Sequence, residues 1–198
     1  MSAEDSSPLE PLKLSCSTSD CENELHCFRE TKRLASAHPH GACQACGAQL
    51  IDWDRVHARS FEDVGATFAA LRHEWVRHHF WEAPFDQRAV NHALRAGRTK
   101  LDEKIEARIR SAVAPAMPFR DGSQTPFSGQ VTFYGQHAVA ACCRKCVEYW
   151  HGIPRGRPLT DEEIGYLSRL VRLFVDLRLP DLPLHGQYVP PIRREEGV

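Results

Sequence analysis

Two cysteine pairs spaced C-x2-C, Cys43/Cys46 and Cys143/Cys146, are the residues of this chain that most directly imply chemistry. Two thiolates two residues apart can grip one ion across a tight turn, and soft sulfur ligands suit zinc. In CQACG, Gly47 permits the positive φ such a turn needs and lets backbone N–H groups approach the sulfurs. In CRKC, the pair stands ahead of an expected helix whose dipole favours thiolates, and Arg144 and Lys145 offset their charge. Two such pairs in one chain predict at least one bound Zn2+.

The sharing of ligands has two solutions. One zinc can be held by Cys43, Cys46, Cys143 and Cys146. Alternatively there are two ions: Cys21, Cys27, Cys43 and Cys46 hold one, while Cys143 and Cys146 hold the other with two of Cys142, His137 and His151. On a regular helix His151 lies about 7.5 Å beyond Cys146 along the axis and roughly 140° around it, so it joins readily only if that segment is looped.

Chemistry beyond zinc binding centres on histidines. His137, five residues before the cysteine run, can serve as ligand, supporting partner or general base. Asp121, Gln124, Thr125 and Gln136 converge on the same stretch and can line a pocket, or can simply bond loop backbone. The order Cys43/Cys46, Asp54, His57, Asn91, His92, Cys143/Cys146 has the residue types of a His-Asn-His metal-dependent nuclease. His57 would then be the base, and His92 or His137 would bind a divalent ion, but the groups are spread too widely for that compact motif. HEWVRHH lacks a zinc-protease HExxH because Arg77 occupies the place of the second histidine, and Glu74 with His78 reads as a surface pair. A deaminase reading fails for want of H-x-E and of proline before Cys143.

The elements that must position these groups are mostly helical. Apolar residues recur at 3 and 4 through 61–81, giving a long helix that ends before Pro84; further helices follow over 86–96, up to Gly97, and from Thr99 to Pro115. Thr160 and Glu163 form a capping box ahead of the stripe Ile164, Leu167, Leu170, Val171 and Phe174. A weaker helix starts near Asp20. Short strands are expected after Gly47 and at QVTFYGQHAV, which is β-branched and aromatic. The class is therefore a mostly helical α+β single domain with a few short strands around a treble-clef-like or knuckle-like zinc site. Residues 1–10 are expected to be disordered, 11–60 to form the zinc-knuckle segment, 61–180 the core and 181–198 a proline-rich tail.

Composition limits the partners. A net charge of −1 argues against coating nucleic acid, although Arg98, Lys100, Lys104, Arg108 and Arg110 fall close together as a local basic patch or solvated face. No window nears the ~18 apolar residues a membrane span needs, and the start lacks a signal peptide's pattern, so a cytosolic setting with reduced cysteines is expected.

From about residue 98 to 177, and most clearly in DGSQTP, GQHAVAACCRKCVEYWHGIP and GRPLTDEE, the chain resembles a bacterial family known as domain of unknown function 4186. The resemblance implies a shared fold and a compact cysteine cluster, with no established activity. It also implies that shorter members consist of this part alone, so Cys142, Cys143, Cys146 and His137 would have to suffice there, which favours two sites here. The leading expectation is a cytosolic zinc protein, zinc mainly structural, with a polar pocket around His137. The alternatives are the nuclease or phosphodiesterase and an adaptor binding a protein through Trp75, Phe80 and Trp81.

Overall fold

Local sequence decides the C-terminal helix. The Thr160 hydroxyl accepts from the Glu163 N–H at 3.2 Å, and the Glu163 carboxylate accepts from the Thr160 N–H at 2.9 Å, closing a capping box. Behind it Ile164, Leu167, Leu170, Val171 and Phe174 form one buried face. The computed structural model describes residues 15, 17–30 and 38–192. Among them are seven α-helices: α1 (Trp53–His57), α2 (Val64–Arg72), α3 (Trp75–Glu82), α4 (Gln87–Ala112), α5 (Val131–Ala138), α6 (Arg144–His151) and α7 (Asp161–Arg178). The expected disorder of residues 1–10 lies outside the described residues.

The expected α+β class is wrong, and with it the treble-clef-like frame of strands. Among the described residues there is no strand, only two isolated bridges, Asp20 with Leu25 and His26 with Glu74. The segment read as a strand, QVTFYGQHAV, is α5 instead. Its β-branched and aromatic content misleads because all its residues but Phe133 are buried, so it needs no polar face. It packs chiefly against α3 and α7, with α4 on its flank. The stretch after Gly47 is irregular and leads to α1, started by Asp52, whose side chain accepts from the Arg55 N–H at 3.1 Å.

The periodic stretch 61–81 forms two helices, α2 and α3, broken at His73 and Glu74. The break has a cause in the packing: the His73 carbonyl accepts from the His26 N–H at 2.8 Å, and the Trp75 N–H donates to the His26 carbonyl at 2.9 Å. The N-terminal segment thus takes two backbone groups at the junction of the two helices. The capping start near Asp20 yields only a 3-10 turn, Cys21–Asn23.

α4 carries a non-helical residue at Gly97, with φ 65° and ψ 172°. The chain at 183–187 supplies bonds there: the Arg98 and Thr99 N–H groups donate to the carbonyls of Pro183 and Leu184, and the Gln187 N–H donates to Leu94. A Cβ on Gly97 would stand 2.3 Å from the His185 carbonyl carbon, so only glycine fits. Gly97 thus interrupts the helix where the stop is expected, and helical residues resume beyond it where the next helix is expected. No helix among the described residues is long and apolar enough to cross a membrane.

Candidate metal centre

The CQACG turn forms as its residues require. Gly47 has φ 78°, its N–H donates to the Cys43 carbonyl at 2.8 Å, and the Cys43 N–H donates to Ala48 at 2.9 Å. The Gln44 N–H reaches the Cys27 carbonyl at 2.7 Å, which lays the turn against the segment carrying Cys21 and His26. Cys21, His26, Cys43 and Cys46 thereby present three sulfurs and one ring nitrogen, all within 4.8 Å of one another. The sulfurs of Cys21 and Cys43 are 3.7 Å apart, and Nδ1 of His26 is 3.5 Å from the sulfur of Cys46.

Those two distances test the fit of an ion. With Zn–S about 2.3 Å and Zn–N about 2.05 Å, a regular tetrahedron has S–S edges of about 3.8 Å and S–N edges of about 3.5 Å. These two edges, and the chemistry of three sulfurs with one imidazole nitrogen, fit a zinc ion, and the other donor separations all lie within 4.8 Å. Electrostatics point the same way. Burial alone would push the Cys43 thiol up, but hydrogen bonds to its sulfur from backbone N–H groups, and the His26 ring, bring it down to about 6. Cys21 is pushed up to about 12 by burial and by the neighbouring Cys46 and Cys43. A cation bound among the sulfurs would offset the mutual repulsion that holds Cys21 up.

A second group, Cys142, Cys143 and Cys146, gathers where α6 begins, with its sulfurs also within 4.8 Å of one another. Cys143 is the N-cap of α6. The Cys142 thiol beside it pushes Cys143 up to about 12 against the opposing bond from Cys146, and burial adds to the rise. Cys142 is drawn down by Cys143, but Cys146 and burial outweigh that and raise it. Arg77, fully buried, donates to the sulfurs of Cys146 at 3.1 Å and Cys142 at 3.6 Å. Its Nε donates to Glu74 at 2.8 Å, and the Trp150 indole N–H donates to the same carboxylate oxygen at 2.8 Å. Glu74 is thus a buried partner of Arg77, not half of a surface pair with His78.

The structure separates the two C-x2-C pairs that a single shared ion would unite, one in each group. His26 stands in the first quartet and Cys27 does not, although CENELHC places the two side by side. His151 is buried in helical α6; its Nε2–H donates to the Val139 carbonyl at 2.9 Å and its Nδ1 accepts from the Tyr166 hydroxyl at 3.2 Å. Both ring nitrogens are engaged away from the sulfurs. His137 is sandwiched between Phe80 and Phe127, with centroids 4.5 and 4.8 Å away, and its Nε2 faces the Thr125 and Pro126 carbonyls at 3.2 Å. Burial and Arg77 hold it neutral, with a pKa of about 3.

The polar residues around His137 hold backbone. Thr125 donates to the Cys142 carbonyl at 2.8 Å, Gln136 donates to Ala141 at 3.0 Å, Asp121 accepts from the Arg144 N–H at 3.0 Å, and Gln124 accepts from the Gly122 N–H at 2.8 Å. They fix the loop that presents the second cysteine group. His57 lies on α1 with Nε2 facing the Tyr149 carbonyl at 3.2 Å. Asn91, on α4, accepts from Gln87 at 2.8 Å. The principal packing partners of α1 are α2 and α6, whereas those of α4 are α5 and α7, so the His-Asn-His residues stand on different parts of the bundle. Phe80 and Trp81 of the aromatic cluster are buried in the core.

Sequence reasoning missed His26, Glu74 and Arg77. His26 had a signal in its place five residues after Cys21; the arginine had one only in its apolar helical surroundings. Against known proteins, the family model described as Domain of unknown function (DUF4186) matches residues 65–176. No solved structure matches the chain. The second cysteine group lies inside the matched region and the first lies outside it.

Proposed function

The chain belongs to the DUF4186 family, and since that description carries no activity we propose a function from the geometry: a protein that binds two metal ions, at two separate cysteine sites. The quartet Cys21, His26, Cys43 and Cys46 is a closed four-ligand zinc site of structural type. The group Cys142, Cys143 and Cys146 is a three-thiolate site, with Arg77 donating to two of its sulfurs and offsetting their charge. The observation that carries the reading is the pair of tetrahedral edges in the quartet, 3.7 and 3.5 Å. A bound zinc would supply folding free energy, since ligands so far apart in sequence are gathered only in the folded chain.

The role of the first site is to fasten the N-terminal segment to the family core. Phe28, two residues after His26, is fully buried and meets Trp150 edge-on at 5.9 Å. Trp53 donates from its indole to the Gly41 carbonyl at 3.0 Å, so the metal-bearing loop also seats α1. We place the protein in a reducing, cytosolic setting, where thiols stay available to metal. His137 and the polar groups near it serve the second site by holding its loop.

Stripping the metal with a chelator under reducing conditions tests this reading. The tryptophan fluorescence should shift to the red, and the segments 17–30 and 38–50 should become more sensitive to protease. Complete removal of bound metal with no change in either signal would contradict it.

A further inference from the structure

The bases that the sequence gathers on α4 meet different fates in the structure. Arg98 donates to Asp176 at 2.7 Å, and Arg110 donates to Glu106 at 2.9 Å and to Asp161 at 2.7 Å. Arg108 meets no carboxylate among the described residues. Of its five N–H donors one is engaged there, from Nη2 to the Gln124 carbonyl at 2.5 Å, while its Nε is buried without a hydrogen-bond partner. Its guanidinium lies over the Phe133 ring, 5.2 Å from the centroid, and burial lowers its pKa. A half-buried cation without a counter-ion is costly unless something supplies one.

Arg108 lines a cavity of about 380 Å3 between the end of α4 and the loop 115–124, a volume within the range of small-molecule sites. Arg120 lines it from the loop, and it too has no acidic partner among the described residues. The loop's own carboxylate, Asp121, is engaged elsewhere: it accepts from the Arg144 N–H at 3.0 Å and from the Gln124 amide at 3.3 Å. Arg120 has a left-handed backbone, φ 55°, a strained setting of the kind that clusters at binding sites. Phe119 and Met117 line the same cavity and stand largely in solvent, at 83% and 90% exposure. The Arg120 guanidinium lies 5.2 Å from the Phe119 centroid. Two guanidinium groups without counter-ions thus stand beside open apolar surface.

A neutral apolar ligand would leave Arg108 unpaired, and a bare ion would leave Phe119 and Met117 in water. We propose that this cavity binds a small aromatic oxyanion, a carboxylate or phosphate carried on a planar ring, with Arg108 and Arg120 as its charge partners and Phe119 as its stacking surface. The planar fork of arginine matches either oxyanion. Every residue lining the cavity lies within the family-matched region and none belongs to a cysteine group, so the inference goes beyond the metal reading.

Calorimetric titration of the zinc-loaded, full-length protein tests it, at about 0.15 M salt to screen loose surface attraction. The probes are phenyl phosphate, benzoate and neutral phenol, and zinc content is measured on the same samples. The expected result is saturable binding of at least one of the two anions, with phenol silent; the tighter anion identifies the oxyanion that is read. Arg108→Gln and Arg120→Gly should each weaken that binding at least about tenfold, as loss of a charge-assisted hydrogen bond requires. Glycine adopts the left-handed backbone at position 120 freely, so Arg120→Gly should leave Tm nearly unchanged while binding falls, which separates loss of the ligand from loss of the fold. Silence toward both anions, phenol binding as tightly as they do, or affinity unchanged in either variant overturns the inference. With zinc present in those samples, such a failure leaves the metal reading standing.

Discussion

Arg77 donates to the sulfur of Cys146 at 3.1 Å while Glu74 holds its Nε at 2.8 Å, so a buried ion pair forms the floor of the second cysteine group. Both side chains are almost wholly excluded from water, at 1% and 2% exposure, and each depends on the other to be tolerable there. Arg77→Ala or Glu74→Ala should therefore lower stability by roughly 3–5 kcal/mol. The double variant should cost clearly less than the sum of the two. Urea denaturation of the reduced, metal-loaded proteins measures all three, and strictly additive losses would contradict the pairing.

Acid should act through buried histidines. Burial depresses His151 to about 4, and burial with Arg77 depresses His137 to about 3, both from 6.5. The unfolded chain then binds more protons below 6.5, so the stability these groups contribute is whole above that pH. It falls as the pH drops toward 4 and 3, by up to about 1.4 kcal/mol per pH unit for each. His151→Gln should flatten the difference between urea midpoints at about pH 7.5 and about pH 5 relative to wild type. Because the cysteine sites are common to both proteins, an unchanged difference would remove His151 from the account.

Gly97→Ala should be disproportionately harmful for so small a change. The new methyl would meet the His185 backbone and force a left-handed φ on alanine. A loss of more than about 1 kcal/mol is expected, read as a fall in Tm. Gly65→Ala, on α2 with open space around the new Cβ, is the matching control and should be neutral or mildly stabilising.

How much of this was legible depended on whether a signal was local. The capping box at Thr160 and Glu163 and the apolar stripe behind it were complete within one segment, and α7 is as they imply. The conformation of Gly97 was legible for the same reason, since its positive φ is a property of the residue. α5 was not legible, because burial nearly all round erases the periodicity that separates helix from strand, leaving only a β-like composition. The metal residues divide in the same way. Both C-x2-C pairs announced themselves by spacing. The partnership of His26 with Cys21, Cys43 and Cys46, and of Arg77 with Cys142 and Cys146, arises from contacts between distant segments. The bridge of His26 to Glu74 joins residues forty-eight apart, and no local pattern encodes it.

The identity of the fourth ligand at the first site gives a sharper test than the cysteines do. His26→Ala should lose that ion while keeping the second, and His151→Gln should keep both, because both nitrogens of His151 are bonded to Val139 and Tyr166. Competition with a chromogenic chelator compares the two variants directly. Retention of full metal affinity by His26→Ala would remove the histidine from the quartet.

The central claim is two ions at two separate sites, and elemental analysis of the freshly purified, reduced protein beside Cys43→Ser and Cys143→Ser tests it most directly. The account predicts about two zinc ions per chain in the wild type and about one in each variant, the variant at position 43 retaining the ion held by Cys142, Cys143 and Cys146. About one ion in the wild type, lost entirely in either variant, would mean a single site shared by the two C-x2-C pairs and would contradict the separation of the two groups.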